Sequence, residues 1–177
     1  WENFGSKDYK IYVDSVNAQK GKISAVIENQ GDKSDFKALA INLPNNYNGK
    51  FIRLSGYVKT ENVTDGYAGL WLRIDPQIGF DNMNSRGITG TTDWKEYEII
   101  LPLNPKKTDK IVIGGLLVGK GKIWLDNFQV SIDGKDLDNK NIEIYTREIL
   151  PAEKDKEFDN GSNITFSSNF LFISILY

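Results

Sequence analysis

The sequence predicts an all-β chain folded as an antiparallel sandwich or barrel. Short runs rich in Ile, Val, Leu and aromatic residues recur along it, and turn clusters separate them at intervals of about 8–12 residues. No segment carries a convincing helical stripe; the best candidate is a turn or two near Lys140 to Ile149. That argues against a parallel α/β sheet, which needs crossover helices. The runs are Tyr9 to Val13, Lys22 to Glu28, Lys37 to Leu43, Phe51 to Lys59, Ala68 to Asp75, Trp94 to Leu101, Lys110 to Leu117 and Lys122 to Val130. The turns between them include Asn29-Gln30-Gly31-Asp32, Thr64-Asp65-Gly66 and Gly119-Lys120-Gly121. Strand periodicity stops near residue 133, in the charged stretch Asp133-Gly134-Lys135-Asp136. Residues 1–133 are therefore expected to form the β domain, and 134–177 a linker or extension leading towards a further domain. The apolar end, Phe170-Leu171-Phe172-Ile173-Ser174-Ile175-Leu176-Tyr177, is too short to span a bilayer. The chain starts with Trp1 and shows no signal-peptide pattern, so it reads as a processed or excised piece.

Composition narrows the chemistry. Among 177 residues there is no cysteine and no histidine. Thiol nucleophiles, Cys or His zinc sites, Ser-His-Asp triads and imidazole acid–base catalysis are therefore excluded. Carboxylate pairs and Ser–Lys arrangements remain, but no Ser-x-x-Lys pattern lies in a helical context. The glycines of Ile113-Gly114-Gly115-Leu116 sit among strands with no helix after them, which argues against a phosphate loop. A formal net charge of −2 supplies no concentrated basic surface for nucleic acid. The balance favours a binding or structural domain over an enzyme.

Strand phase selects candidate site residues, because alternate residues face opposite ways. In Tyr67 to Asp75 one face reads Ala68, Leu70, Leu72, Ile74 and is a core face; the other reads Tyr67, Gly69, Trp71, Arg73, Asp75. Likewise Ile52, Leu54, Gly56 and Val58 oppose Arg53, Ser55, Tyr57 and Lys59. Aromatic rings stack on the C–H faces of sugars while planar charged groups bond the hydroxyls, so Tyr57, Tyr67, Trp71, Arg73 and Asp75 suit a glycan. The alternative is that Trp71 and Tyr57 are covered by a loop while Arg73 and Asp75 only pair. The loop after this strand places Phe80, Asp81, Asn82 and Arg86 beside the same face. Asp81 and Asn82 also fit as turn residues bonding their own backbone, and Phe80 or Met83 as a plug on the core. Asp126, in the otherwise apolar run Lys122 to Val130, needs a partner if buried. Either a structural calcium takes it as a ligand, or it caps a bulge by accepting backbone N–H bonds.

The ending Gly121-Lys122-Ile123-Trp124-Leu125-Asp126-Asn127-Phe128-Gln129-Val130 resembles the closing strand of galactose-binding-like jelly rolls, which include many carbohydrate-binding modules. Gly69 to Asp75, Phe80-Asp81-Asn82-Met83, Arg86 and Gly90 to Tyr97 are similar to the accessory domain preceding the catalytic region of some bacterial hydrolases, tail-specific peptidases among them. The resemblance covers residues 9–133. It implies a two-sheet antiparallel jelly roll with an extended C-terminal arm. It also implies a non-catalytic, carbohydrate-binding-like accessory domain of an exported bacterial hydrolase, with a glycan or the neighbouring catalytic domain as partner and no cofactor beyond a structural calcium. Rival expectations are a domain that orients a neighbouring enzyme without binding sugar, and a carboxylate-dependent hydrolase in its own right. Members usually open with a strand of Asn-x-x-Phe-Glu type, absent here, and its Glu is a usual calcium ligand.

Overall fold

The computed structural model describes residues 1–137. In chain order the strands are β1 (Glu2–Gly5), β2 (Lys10–Asp14), β3 (Ser24–Asn29), β4 (Phe36–Leu43), β5 (Phe51–Asp75), β6 (Gly79–Asp81), β7 (Ile88–Pro102), β8 (Lys110–Ile132) and β9 (Lys135–Asp136). Every pairing among them is antiparallel. The helical turn expected near Lys140 to Ile149 and the apolar 170–177 lie outside the described residues. Past residue 133 the chain returns to the sheet, since β9 pairs with the end of β8 and Leu137 N donates to Val130 O at 2.9 Å.

The nine strands form one sheet that doubles over into two layers. Its spine is a ribbon of β5 and β8, which stay paired from Ile52↔Ile132 through Thr64↔Lys120 to Asp75↔Lys110. The turns expected at residues 64–66 and 119–121 therefore do not end strands. They are the place where both strands of the ribbon bend together, with register shifts between Glu61 and Tyr67. Residues 51–60 and 121–132 form the back layer with β2, β3, β9 and most of β7; residues 67–75 and 110–118 form the front layer with β4, β1 and β6. The layers face each other across the core. A Cβ on Gly115 in front would stand 2.5 Å from Leu125 behind, and one on Gly56 behind would stand 3.3 Å from Leu70 in front. Ile52, Leu54 and Ile123 from the back and Leu70, Leu72 and Ile113 from the front are fully buried between them, so the inward phase read from the sequence holds.

The bend depends on backbone that only glycine supplies readily. Gly119 (φ +83) and Gly121 (φ +104) are left-handed, and a Cβ on them would lie 2.4 Å from Thr64 O and 2.5 Å from Asn62 O. Two buried side chains fix the corner from the side: the Tyr9 hydroxyl and the Asn29 amide donate to the Gly119 carbonyl at 2.7 and 2.8 Å. Gly21 is a useful contrast, with φ +77 and nothing within 4 Å. Gly21→Ala should cost about 1–2 kcal/mol from backbone conformation alone. Gly119→Ala should add about 1–3 kcal/mol for the collision. Urea unfolding of both variants checks this; equal costs would show that the corner yields.

Candidate functional site

Registered pairs share a face, so the outer surface of the front layer can be read row by row. Phe36, Val118 and Tyr67 form one row, and Phe4, Ala38, Leu116 and Gly69 the next. Glu2, Ala40, Gly114 and Trp71 follow, then Asn42, Val112, Arg73 and Phe80, and finally Lys110 and Asp75. Trp71 and Phe4 belong to strands three steps apart, about 14 Å in sheet spacing. Their ring centroids are nevertheless 5.9 Å apart, edge to face at 84°. Both side chains therefore lean inward across the columns of β8 and β4, and the small residues Gly114, Ala40 and Ala38 leave the room. Gly69 does the same for Met83, whose Cβ would be 2.9 Å from a Cβ at that position. The Met83 sulfur accepts the Leu70 N–H at 3.2 Å. Met83, 1% exposed, is thus the plug, whereas Phe80 is 60% exposed.

Trp71 is partly buried, and the Phe4 ring of β1 stands edge-on against it. Its indole N–H is buried with no hydrogen-bond partner; an unsatisfied donor of this kind costs about 1–3 kcal/mol. Beside it Arg73 donates through Nε and Nη2 to the two Asp75 oxygens at 2.8 and 2.7 Å. That bidentate bond holds the Asp75 carboxyl below its ordinary pKa. Arg86 grips Asp81 in the same way, at 3.0 and 2.8 Å. Asp81 also accepts the Met83 N–H at 2.7 Å and Asn82 the Asn84 N–H at 3.2 Å, so both shape the loop as turn residues. Tyr67 packs against Gly87, and burial, with the Asp81 charge second, raises its pKa.

The structure thus gathers Tyr67, Trp71, Arg73, Asp75, Phe80, Asp81, Asn82 and Arg86 on or beside one face. Tyr57 does not join them. It pairs with Glu96 and Asp126 on the outer face of the back layer, because the ribbon bend between residues 60 and 67 turns the two halves of β5 away from each other. Sequence reading missed Phe4, since four residues of β1 are too few to show alternation. It also missed the small-residue bed, whose Ala and Gly positions carry a signal only once the register is known.

Asp126 also lies on the back layer. Its Oδ2 accepts Gln19 N and Lys20 N at 2.8 and 2.9 Å, and its Oδ1 accepts Asn127 N at 2.6 Å. Asn127 is left-handed, at φ 50, where the β5–β8 register shifts between Ser55 and Tyr57. This is the bulge-capping arrangement, with backbone donors pointing at the oxygens a calcium ligand would offer. Among the described residues no group of three or more His, Cys, Asp or Glu is placed to hold a metal ion. Nearby, Trp124 lies within 5.0 and 5.9 Å of the ammonium groups of Lys122 and Lys59 and donates to Asp14 Oδ2 at 2.8 Å. That bond, with those from Asn17 and Val16, holds the Asp14 carboxyl well below the usual carboxylate range.

No family model matches the chain. Over 143 residues, 77% of its length, it is 32% identical to an uncharacterised HTH-type transcriptional regulator, YbfP, of Bacillus subtilis strain 168. It spans about half of that relative, 48%. Among solved structures it is similar to the CBM22-1 xylan-binding domain of Paenibacillus barcinonensis Xyn10C, with TM-score 0.51 and 15% identity over 73% of this chain and 85% of that one. It is equally similar to TmCBM61 in complex with β-1,4-galactotriose, with TM-score 0.51 and 19% identity over 75% and 88%. The CBM22-1–GH10 modules of Clostridium thermocellum xylanase 10B give 0.52 and 14% over 75% and 26%. The fold is that of the jelly-roll carbohydrate-binding modules.

Two stability measurements follow from the geometry. Leu72→Ala, which empties a fully buried position, should cost about 2–5 kcal/mol. Arg73→Ala removes a solvent-exposed pair and should cost within about 1 kcal/mol; chemical unfolding separates them. Acid titration tests Asp14. Its folded pKa is depressed, so its contribution is complete above the unfolded value of about 4 and is lost as pH falls below it. Asp14→Asn should therefore lower the melting temperature at pH 7, and its gap to the parent should close towards pH 2.

Proposed function

We propose that the chain is a non-catalytic carbohydrate-binding domain of a longer protein, with its site on the outer face of the front layer. The observation that carries this is the row pattern around Trp71: a half-covered indole on a bed of Gly114 and Ala40, with the Arg73–Asp75 fork two residues on and Phe80 beside it. The rings offer faces for sugar C–H groups, and Arg73, Asp75 and Asn42 offer hydrogen bonds. The jelly-roll fold supports the reading, as do the xylan and galactotriose named for two proteins that share it.

For the rest of the parent protein, two readings stand. An exported bacterial hydrolase, with this domain holding substrate near a catalytic domain, matches the sequence resemblance and the attachment of a similar module to a GH10 catalytic module. The 32% identity to a longer HTH-type regulator favours a second reading, in which the same face senses a sugar for an attached DNA-binding segment. The two differ in compartment. Fractionating cells that make the full-length protein separates them: an envelope or secreted pool supports the hydrolase, and a cytosolic pool retained on its own promoter DNA supports the regulator.

Sugar binding itself is tested by affinity electrophoresis against a panel of soluble plant and bacterial polysaccharides. The parent chain should be retarded by at least one of them. Trp71→Ala and Arg73→Ala should abolish retardation while far-UV dichroism and cooperative unfolding persist. A parent that migrates freely through the whole panel would leave the domain an orienting element that binds no sugar.

A further inference from the structure

We propose that this chain dispenses with the structural calcium that its resemblance implies, and that a hydrogen-bonded lock between β8 and the segment at residues 14–20 stands in for the metal. The inference rests on the donors gathered around Asp14 and Asp126 and is independent of the sugar-binding reading.

Asp126, 9% exposed, is the carboxylate expected to meet the ion. Its Oδ2 accepts the Gln19 and Lys20 N–H groups at 2.8 and 2.9 Å, and its Oδ1 accepts that of Asn127 at 2.6 Å. Three of its roughly four lone-pair sites therefore face hydrogens. Asp14 is filled more completely. Its Oδ1 accepts Val16 N and Asn17 N at 2.7 and 3.1 Å. Its Oδ2 accepts Asn17 Nδ2 and Trp124 Nε1 at 3.0 and 2.8 Å. The Asn17 carbonyl in turn accepts the Ser24 hydroxyl at 2.6 Å. Among the described residues, the only buried side-chain oxygen without a partner is Gln19 Oε1, one donor atom where calcium takes about six to eight. A dication entering here would meet the positive ends of N–H dipoles and would have to displace several charge-assisted bonds.

The same bonds show what replaces it. The segment is pinned to β8 twice, at Trp124 through Asp14 and at Asp126 through Gln19 and Lys20. A domain closed in this way draws on no calcium supply, so it stands equally in a calcium-poor compartment and outside a cell.

Thermal melts of the chain in excess EGTA and in millimolar calcium chloride test this, with calorimetric titration of calcium alongside. A metal that binds only the folded state would raise the melting temperature by mass action. The two melts should instead agree within about 1 °C, near a quarter of the shift that about 1 kcal/mol produces in a domain of this size, and calcium should give no binding heat. Asp126→Ala leaves three backbone N–H groups without their acceptor and should lower the melting temperature by several degrees, equally in both buffers. A parent melt that falls in EGTA or rises in calcium overturns the inference. So does a deficit of Asp126→Ala that appears only in calcium, or no deficit at all. If that variant does not fold, the parent melts and the titration decide alone.

Discussion

Everything in this fold hangs on the corner where β5 and β8 bend as a pair. An antiparallel ribbon of more than twenty residues is too long for a domain this size unless it folds over. Folding it over without breaking the ladder needs residues that tolerate left-handed backbone on both strands. Asn62 and Asp65 provide them on β5, and Gly119 and Gly121 on β8. Asn and Asp are the non-glycine residues that visit that region most readily. Because pairing continues through the corner, the register of the front layer is fixed by that of the back. The placement of Trp71 over Gly114 is thus decided as far away as Ile52 and Ile132.

The two outer faces built by this one ribbon solve different problems. The back face seals itself with charge and hydrogen bonds: Asp126 and Asp14 anchor the segment at residues 14–20, and the Lys59 and Lys122 ammonium groups flank Trp124. Its aromatic ring is 4% exposed and its indole N–H is satisfied. The front face has small residues beneath and half-covered rings above. Each face keeps one buried polar atom without a partner, Trp71 Nε1 in front and Gln19 Oε1 behind. Apolar rings held half in water agree with the sugar-binding reading proposed for the front face.

Much of the fold was legible from period-two alternation, since Leu70, Leu72 and Ile74 can be buried together in only one way. What alternation cannot reveal is whether a glycine turn ends a strand or bends it. Gly119-Lys120-Gly121 looks like a hairpin turn, and only its pairing opposite Thr64 shows that it is a corner. That single ambiguity put Tyr57 with Trp71, since a strand pair lying flat would have shown both on one surface. The Asp126 alternatives were likewise set by a distant segment, Gln19 and Lys20, which no local pattern points to. The Arg73–Asp75 and Arg86–Asp81 pairs were the part of the site most nearly visible in the sequence, because close spacing along a strand or a turn brings such groups within reach.

The position of β1 has a practical consequence for how this protein is handled. Phe4, one side of the Trp71 contact, is carried by a four-residue edge strand whose backbone pairs with β4, and short edge strands are the first to open. A tag placed close to Trp1 is therefore tied directly to the proposed recognition surface, whereas Leu137 stands beside β8 in the other layer. A sensor chip that grips the protein near Trp1 strains or shields the face being measured, and one that grips the outer face of the back layer presents it to the solution.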